Sequence, residues 1–219
     1  GEIMKKQLIA VVSALAMTFT SLPCVSIAAE NVPKPVLQYT FDGNKQLADK
    51  NGKNELKLSG GASVTDDGNK GKGLLLDGTD GYAELPDNIL SSDMTITTWV
   101  KINKFTTWGR VFDFGTDSNQ NFFFAPYSSG ASRVEIKNGA TVDTMDCAQE
   151  TAKEWVNYAI TIKGDTVSYY RNGRLIKSKS GIKDISELTN TANYIGKSHY
   201  DGDAYLSAVV DDFRVYNTA

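Results

Sequence analysis

Cysteine and histidine are almost missing from this chain of 219 residues, which has two Cys, Cys24 and Cys147, and a single His, His199. A zinc centre needs several such ligands, so no Cys/His zinc site can be assembled. Gly-x-Ser-x-Gly is also missing, and His199, in Lys197-Ser198-His199-Tyr200-Asp201, has no evident serine partner for nucleophilic catalysis. The glycines of Gly68–Gly73 lack phosphate-loop spacing and read as turns. Positive charge is in short supply too, with 23 Lys and Arg against 26 Asp and Glu and no basic patch. That balance argues against nucleic acid or an anionic membrane as a partner. From Val36 onward a sustained helical period is lacking, which argues against a helical bundle.

The first thirty residues differ from the rest. Met4-Lys5-Lys6 supplies a positive start, Leu8–Met17 an apolar stretch too short to span a bilayer, and Ser26-Ile27-Ala28 small residues fit for cleavage. Residues 1–28 are expected to be a secretory signal peptide, with Gly1-Glu2-Ile3 an upstream remnant and cleavage after Ala28. Pro23 before Cys24 is a poor match to a lipidation site. Without Glu2, Lys5 and Lys6 the chain keeps 21 basic and 25 acidic residues and one cysteine, so no internal disulfide can form. The mature protein is expected outside the cytoplasm, not inserted in a membrane, with residues 29–35 a short Pro-containing linker and 36–219 one domain.

Within that domain, short segments of alternating apolar and polar residues recur between turn signals, the pattern of a two-sheet antiparallel sandwich. Strands are predicted at Val36–Phe41, Leu56–Leu58, Gly73–Leu76, Tyr82–Leu85, Met94–Ile102, Arg110–Phe114, Asn121–Ala125 and Arg133–Lys137. Others are predicted at Trp155–Lys163, Thr166–Arg171, Arg174–Ser178, Ala192–Gly196 and Ala208–Tyr216, with a helical turn in Ile182–Leu188. Asn172-Gly173 is a strong hairpin signal, since both residues tolerate the positive φ of a type I′ turn. About a dozen strands suit a jelly roll. Met94, Ile96, Thr98, Val100 and Ile102 share a core face, which turns Trp99 outward. Trp155 is expected to pack in the core or at a strand end.

The order of several motifs resembles the laminin-G-like, concanavalin A-like jelly-roll modules attached to secreted bacterial glycosidases that degrade arabinan and xylan. The matching stretches include Tyr39-Thr40-Phe41-Asp42-Gly43, Gly71–Gly78, Thr95–Lys101, Arg110–Gly115, Trp155–Thr161, Tyr170–Gly173, Tyr194–Ser198 and Asp211–Asn217. The resemblance implies an all-β jelly roll that binds carbohydrate, a plant polysaccharide or a host glycan, without hydrolysing it, joined in the full protein to a catalytic domain. It also implies a structural calcium where the first and last strands meet, at Asp42 and Asp211 or Asp212. If Val209, Asp211, Phe213 and Val215 share a core face, Asp211 is buried and needs a partner or an ion; pairing with Arg214 or a backbone amide is the alternative.

Glucanases of this fold carry Glu-x-Asp-x-x-Glu, which does not occur here, and the neighbours Asp66-Asp67 and Asp211-Asp212 would point to opposite sheet faces. Cys147 sits beside Asp146, without a base to activate it. Sugars need aromatic platforms and a few polar groups. The candidates are Trp99, Trp108, Tyr127, His199, Tyr200 and Asp201, although Trp99 could instead be capped by loops and simply pack. Two rivals stand beside the binding module: an adhesion domain that takes protein or host glycan, and a glycosidase in its own right.

Overall fold

The computed structural model describes residues 33–219, so the expected signal peptide and most of the linker lie outside the described residues. Fifteen strands and one 3₁₀ turn follow in order: β1 (Leu37–Tyr39), β2 (Lys57–Ser59), β3 (Ser63–Thr65), β4 (Gly73–Asp77), β5 (Tyr82–Leu85), β6 (Met94–Lys104), β7 (Phe112–Asp117) and β8 (Gln120–Ala125). Next come β9 (Ser132–Asn138), β10 (Thr141–Cys147), β11 (Val156–Lys163), β12 (Thr166–Arg171), β13 (Arg174–Ser180), the turn Ile185–Glu187, β14 (Ala192–Ile195) and β15 (Ser207–Tyr216). They form two antiparallel sheets. One runs β13-β12-β11-β6-β15-β4-β3, with β1 also on β15; the other runs β10-β9-β8-β7-β14-β5-β2.

The core lies between the sheets and is aromatic-rich: Phe112, Phe114, Phe122 and Phe124 from one sheet meet Tyr158, Tyr169 and Phe213 from the other. Strand β6 behaves as its alternation predicts, with Met94, Ile96, Thr98, Val100 and Ile102 buried and the residues between them partly exposed. The β12–β13 hairpin turns through Asn172 and Gly173, at φ 50° and 74°, as a type I′ turn requires. Edge strand β13 is Lys-rich, and its exposed Leu175 and Ile176 are flanked by Arg174, Lys177 and Lys179, charges that blunt an edge against pairing with another chain.

Three expectations are corrected. The first strand ends at Tyr39, leaving Asp42 in the loop beyond it, and strand β7 begins at Phe112, leaving Arg110 ahead of it. In β15 the pairing with β6 skips from Asp211↔Trp99 to Arg214↔Thr97, a β-bulge with Asp212 at φ 48°. The bulge inverts the alternation. Ala208 and Val210 before it and Phe213 and Val215 after it face the core, so Asp211 is buried at 2% exposure but on the outer side of the sheet, opposite Trp99.

Candidate functional site

Ladder registers in the seven-stranded sheet line up one transverse row: Lys57, Glu84, Tyr194, Asp113, Phe123, Glu135 and Thr144, one residue from each strand. Alternation puts this row on the face opposite the core residues Ala83, Ile195, Phe112, Phe122 and Val134. Polar residues there are nevertheless buried, Asp113 completely and Glu135 nearly so, because two loops fold over the face. One carries Trp108; the other, between β14 and β15, carries His199, Tyr200 and Asp203.

Between these loops lies a cleft of about 190 Å³ walled by Trp108, Tyr200, Arg133, Glu135 and Asp203, with Arg110 and Phe123 as its floor. Trp108 is held at φ 66°, a conformation that costs a bulky residue free energy, and its N–H donates to the Tyr127 carbonyl at 3.1 Å. Gly109 permits the bend, since a Cβ there would lie 2.5 Å from Thr106 Oγ1. The guanidinium carbons of Arg110 and Arg133 both sit 5.2 Å from the Trp108 ring centroid.

Arg110 is 2% exposed and lies 3.6 Å from the Phe123 ring centroid. One of its amino groups donates to Asp203 Oδ2 at 2.9 Å, and its Nε is 3.6 Å from Asp113 Oδ2. Its Nε and Nη1 are buried without a hydrogen-bond partner. Burial pulls the guanidinium pKa down, opposed by Asp113, Asp203, Glu135 and Tyr200, and the group remains a cation at any ordinary pH. Ser198 Oγ also donates to Asp203 Oδ2 (2.8 Å) and accepts from the Tyr200 N–H (3.0 Å), which locks the loop over the cleft. Glu135 accepts from Arg133 at 3.4 Å and Thr144 at 3.3 Å.

Of the predicted sugar contacts, the cleft brings together Trp108 and Tyr200. His199 sits beneath the surface with its side chain 4% exposed; its N–H donates to Asp113 Oδ2 (3.0 Å), and its Nδ1 is 2.8 Å from Asp113 Oδ1, an ion-pair distance out of line for a hydrogen bond. It is a packed residue, its ring tilted against that of Tyr194 with the centroids 5.0 Å apart, and not a solvated loop residue. Tyr127 packs on Phe105 at 5.1 Å behind Trp108. Asp201 is exposed at the loop turn, and Asp203, two residues on, takes the place expected for it. Arg110, Glu135 and Asp203 were not predicted. The alternation of β9 carried a signal for Glu135, because Val134 and Ile136 are its apolar neighbours.

Trp99 belongs to the other sheet, half-buried in a separate cleft of about 200 Å³ with Asp42, Asp211, Asp212 and Arg214. The three predicted metal residues therefore meet there. Loop residues lace two of them: the Lys70 N–H donates to Asp211 Oδ2 (3.0 Å) and the Lys72 N–H to Asp42 Oδ1 (2.9 Å). Gly71, at φ 78°, allows this wrap, because a Cβ there would lie 2.4 Å from Asp42 Oδ1. Asp212 is engaged by the Arg214 guanidinium through both oxygens. Burial holds the Asp211 carboxyl above its usual range, against the pull of the Lys70, Asp212 and Asn69 amides. The donors are oxygens, as calcium prefers, but among the described residues no group of three Asp, Glu, His or Cys side chains is close enough to hold an ion, so carbonyls would have to complete any shell.

An antiparallel two-sheet jelly roll with a cleft on one outer sheet face defines the class of protein. The chain belongs to the concanavalin A-like lectin/glucanases superfamily, whose model matches residues 77–219. It is 29% identical over 198 residues to an alpha-L-arabinofuranosidase of Bifidobacterium longum subsp. longum; the match covers 80% of this chain and 18% of that protein, so the chain spans less than a fifth of its relative's length. Its fold is that of domain 4 of AbnA, an extracellular arabinanase from Geobacillus stearothermophilus solved with arabinotriose: TM-score 0.75, 22% identity, covering 85% of this chain and 94% of that one. The binding domain of Paraclostridial Mosquitocidal Protein 1 shares the fold at TM-score 0.65 and 18% identity, over 84% of this chain and 49% of that one.

Proposed function

We propose that this domain is a carbohydrate-binding module that takes the end of an arabinan-type chain in the Trp108–Tyr200 cleft. One observation carries the reading: Trp108 and Tyr200 wall a single cleft in which the partly exposed side chains of Arg133, Glu135 and Asp203 supply polar groups beside the aromatic surface. The apolar face of a sugar ring would rest on Trp108 while its hydroxyls meet the Arg133 guanidinium and the Glu135 and Asp203 carboxylates. A cleft of about 190 Å³ is small beside ordinary ligand pockets and suits a single sugar ring. The arabinofuranosidase relative and the arabinanase domain direct the choice of sugar. Calorimetry with arabinose and arabino-oligosaccharides tests it. Trp108→Ala is expected to weaken binding by about 1–3 kcal/mol, and undiminished affinity in that variant would remove the site.

A second reading, hydrolysis, is favoured by one observation: Glu135 and Asp203 line the same cleft. A general acid has to keep its proton near neutral pH, which asks for an apolar or anionic neighbourhood. Each of these carboxylates instead faces an arginine, Arg110 at 2.9 Å from Asp203 and Arg133 at 3.4 Å from Glu135. We therefore propose a non-catalytic role, and turnover of arabinan that disappears in Glu135→Gln or Asp203→Asn would overturn it.

Export by residues 1–28 and attachment to a glycosidase remain part of the proposal, the second supported by the greater length of the arabinofuranosidase relative. So does a structural calcium, now limited to Asp42, Asp211 and main-chain carbonyls, since Asp212 is taken by Arg214. An ion bound only by the folded state raises its melting temperature, so chelator should lower it in the native protein and not in Asp42→Ala. A melting curve indifferent to chelator would dispose of the ion.

A further inference from the structure

The row that floors the sugar cleft continues past Asp113 to Tyr194, Glu84 and Lys57, and there the same sheet face opens again. On the far side of the β14–β15 loop lies a second, larger cleft of about 440 Å³, lined by Glu55, Lys57, Glu84, Asp87, Thr191 and Tyr194 among others. Adjacent strands are about 4.8 Å apart, so from Phe123 under the first cleft to Lys57 in the second is four strand steps, roughly 19 Å. The β14–β15 loop covers Asp113 between the two clefts, so a chain of several sugar rings that reaches both passes over that loop.

We infer that the second cleft holds the following residues of the oligosaccharide whose end occupies the first, an inference that rests on the sugar-binding reading of the Trp108 site. The polar groups there are uncommitted: among the described residues, none of Glu55, Lys57, Glu84 and Asp87 takes part in an ion pair, and Glu84 receives one long bond, 3.5 Å from the Tyr82 hydroxyl. Carboxylates and an ammonium that face water without partners can exchange water for sugar hydroxyls at little cost. The wall between the clefts also suits a polyol. Tyr82 meets Tyr194 edge to face at 5.5 Å, and Lys197 lies 4.4 and 4.6 Å from the two ring centroids, so half-buried aromatic surface and a cation line the way across. A neutral, hydroxyl-rich chain is the ligand class that this mixture of both charges takes; an anionic chain would meet Glu55, Glu84 and Asp87.

Calorimetry on the purified protein with arabinose and α-1,5-linked arabino-oligosaccharides of two to six residues tests the inference, on the native chain, Lys57→Ala, Glu84→Gln and Trp108→Ala. Native affinity should rise with length up to about four residues and then level off. Each lost hydrogen bond is worth roughly a 3- to 10-fold change in affinity, so Lys57→Ala and Glu84→Gln should weaken the long ligands by that factor and leave arabinose and arabinobiose unchanged. Both residues are at the surface, so melting curves should not move. Equal affinity at every length, or variants that bind the long ligands as the native protein does, would overturn the second cleft alone. Absence of binding at every length would overturn the Trp108 site and this cleft together.

Discussion

Trp108 is held in a backbone conformation that a tryptophan disfavours, at φ 66°, between Thr107 and Gly109, where a Cβ would crowd Thr106 Oγ1. Strain of this kind costs of order 1–3 kcal/mol and persists where something gains from it; here the bend presents the indole to the cleft. Trp108→Gly should accordingly remove the platform and relax the backbone together. Thermal unfolding is expected at or above the native midpoint while sugar binding is lost, and a marked drop in melting temperature would show that the indole serves packing. Glu150 is a contrasting residue, with a structural role. Burial would raise its pKa, but the Arg171 guanidinium, the Ala152 N–H, the Tyr158 hydroxyl and the Thr151 N–H together hold it below the usual carboxylate range. A depressed carboxyl stabilises the fold above its unfolded pKa, about 4.3, and that contribution is lost as pH falls through the lower folded value. Urea midpoints measured from pH 7 to pH 2 should show a shallower acid limb in Glu150→Gln than in the native protein, at some cost in stability at neutral pH.

Elements with a clean alternation were legible in the sequence, and those shaped by their neighbours were not. Strand β6 and the Asn172-Gly173 hairpin follow directly from residue pattern. Strand β10 was missed because Met145 is its one fully buried residue; it exists as an edge, laid down by pairing with β9. Strand β3, three residues long, is likewise made by β4. The parity of β15 failed at Asp211-Asp212, where a bulge costs nothing recognisable in the residue pattern. The site divides the same way. Aromatics in loops were visible, whereas Arg110 and Asp203 depend on which distant loop covers which sheet face, and only the fold decides that. The phenylalanine ladder is the element on which the binding face rests: Phe112 lies 4.8 Å from Phe114 and 5.2 Å from Phe122, directly behind the Asp113–Phe123 row. Phe114→Ala should cost about 3–5 kcal/mol in chemical denaturation, with sugar affinity falling only once the domain begins to melt.

For the whole molecule, the two outer faces carry different chemistry: a sugar-sized cleft with arginines on one sheet and the Asp42–Asp211 cleft beside Trp99 on the other. Among the described residues no helix is long and apolar enough to cross a membrane. The strand β15 joins all that is distant. It pairs with β6 along one edge; along the other, Ser207–Val210 take β4 and Phe213–Val215 take β1, so that Leu37 sits against Val215. That arrangement has a consequence in time. The middle of the larger sheet cannot close until the last residues of the domain have been synthesised, and contacts so far apart in sequence make folding slow, on the millisecond-to-second scale of β-sandwiches. A chain cut before Ser207 should stay unfolded and protease-sensitive however long it is left, whereas the complete domain should refold in one concerted phase. A growing chain with this strand order is expected to stay open until β15 has been made.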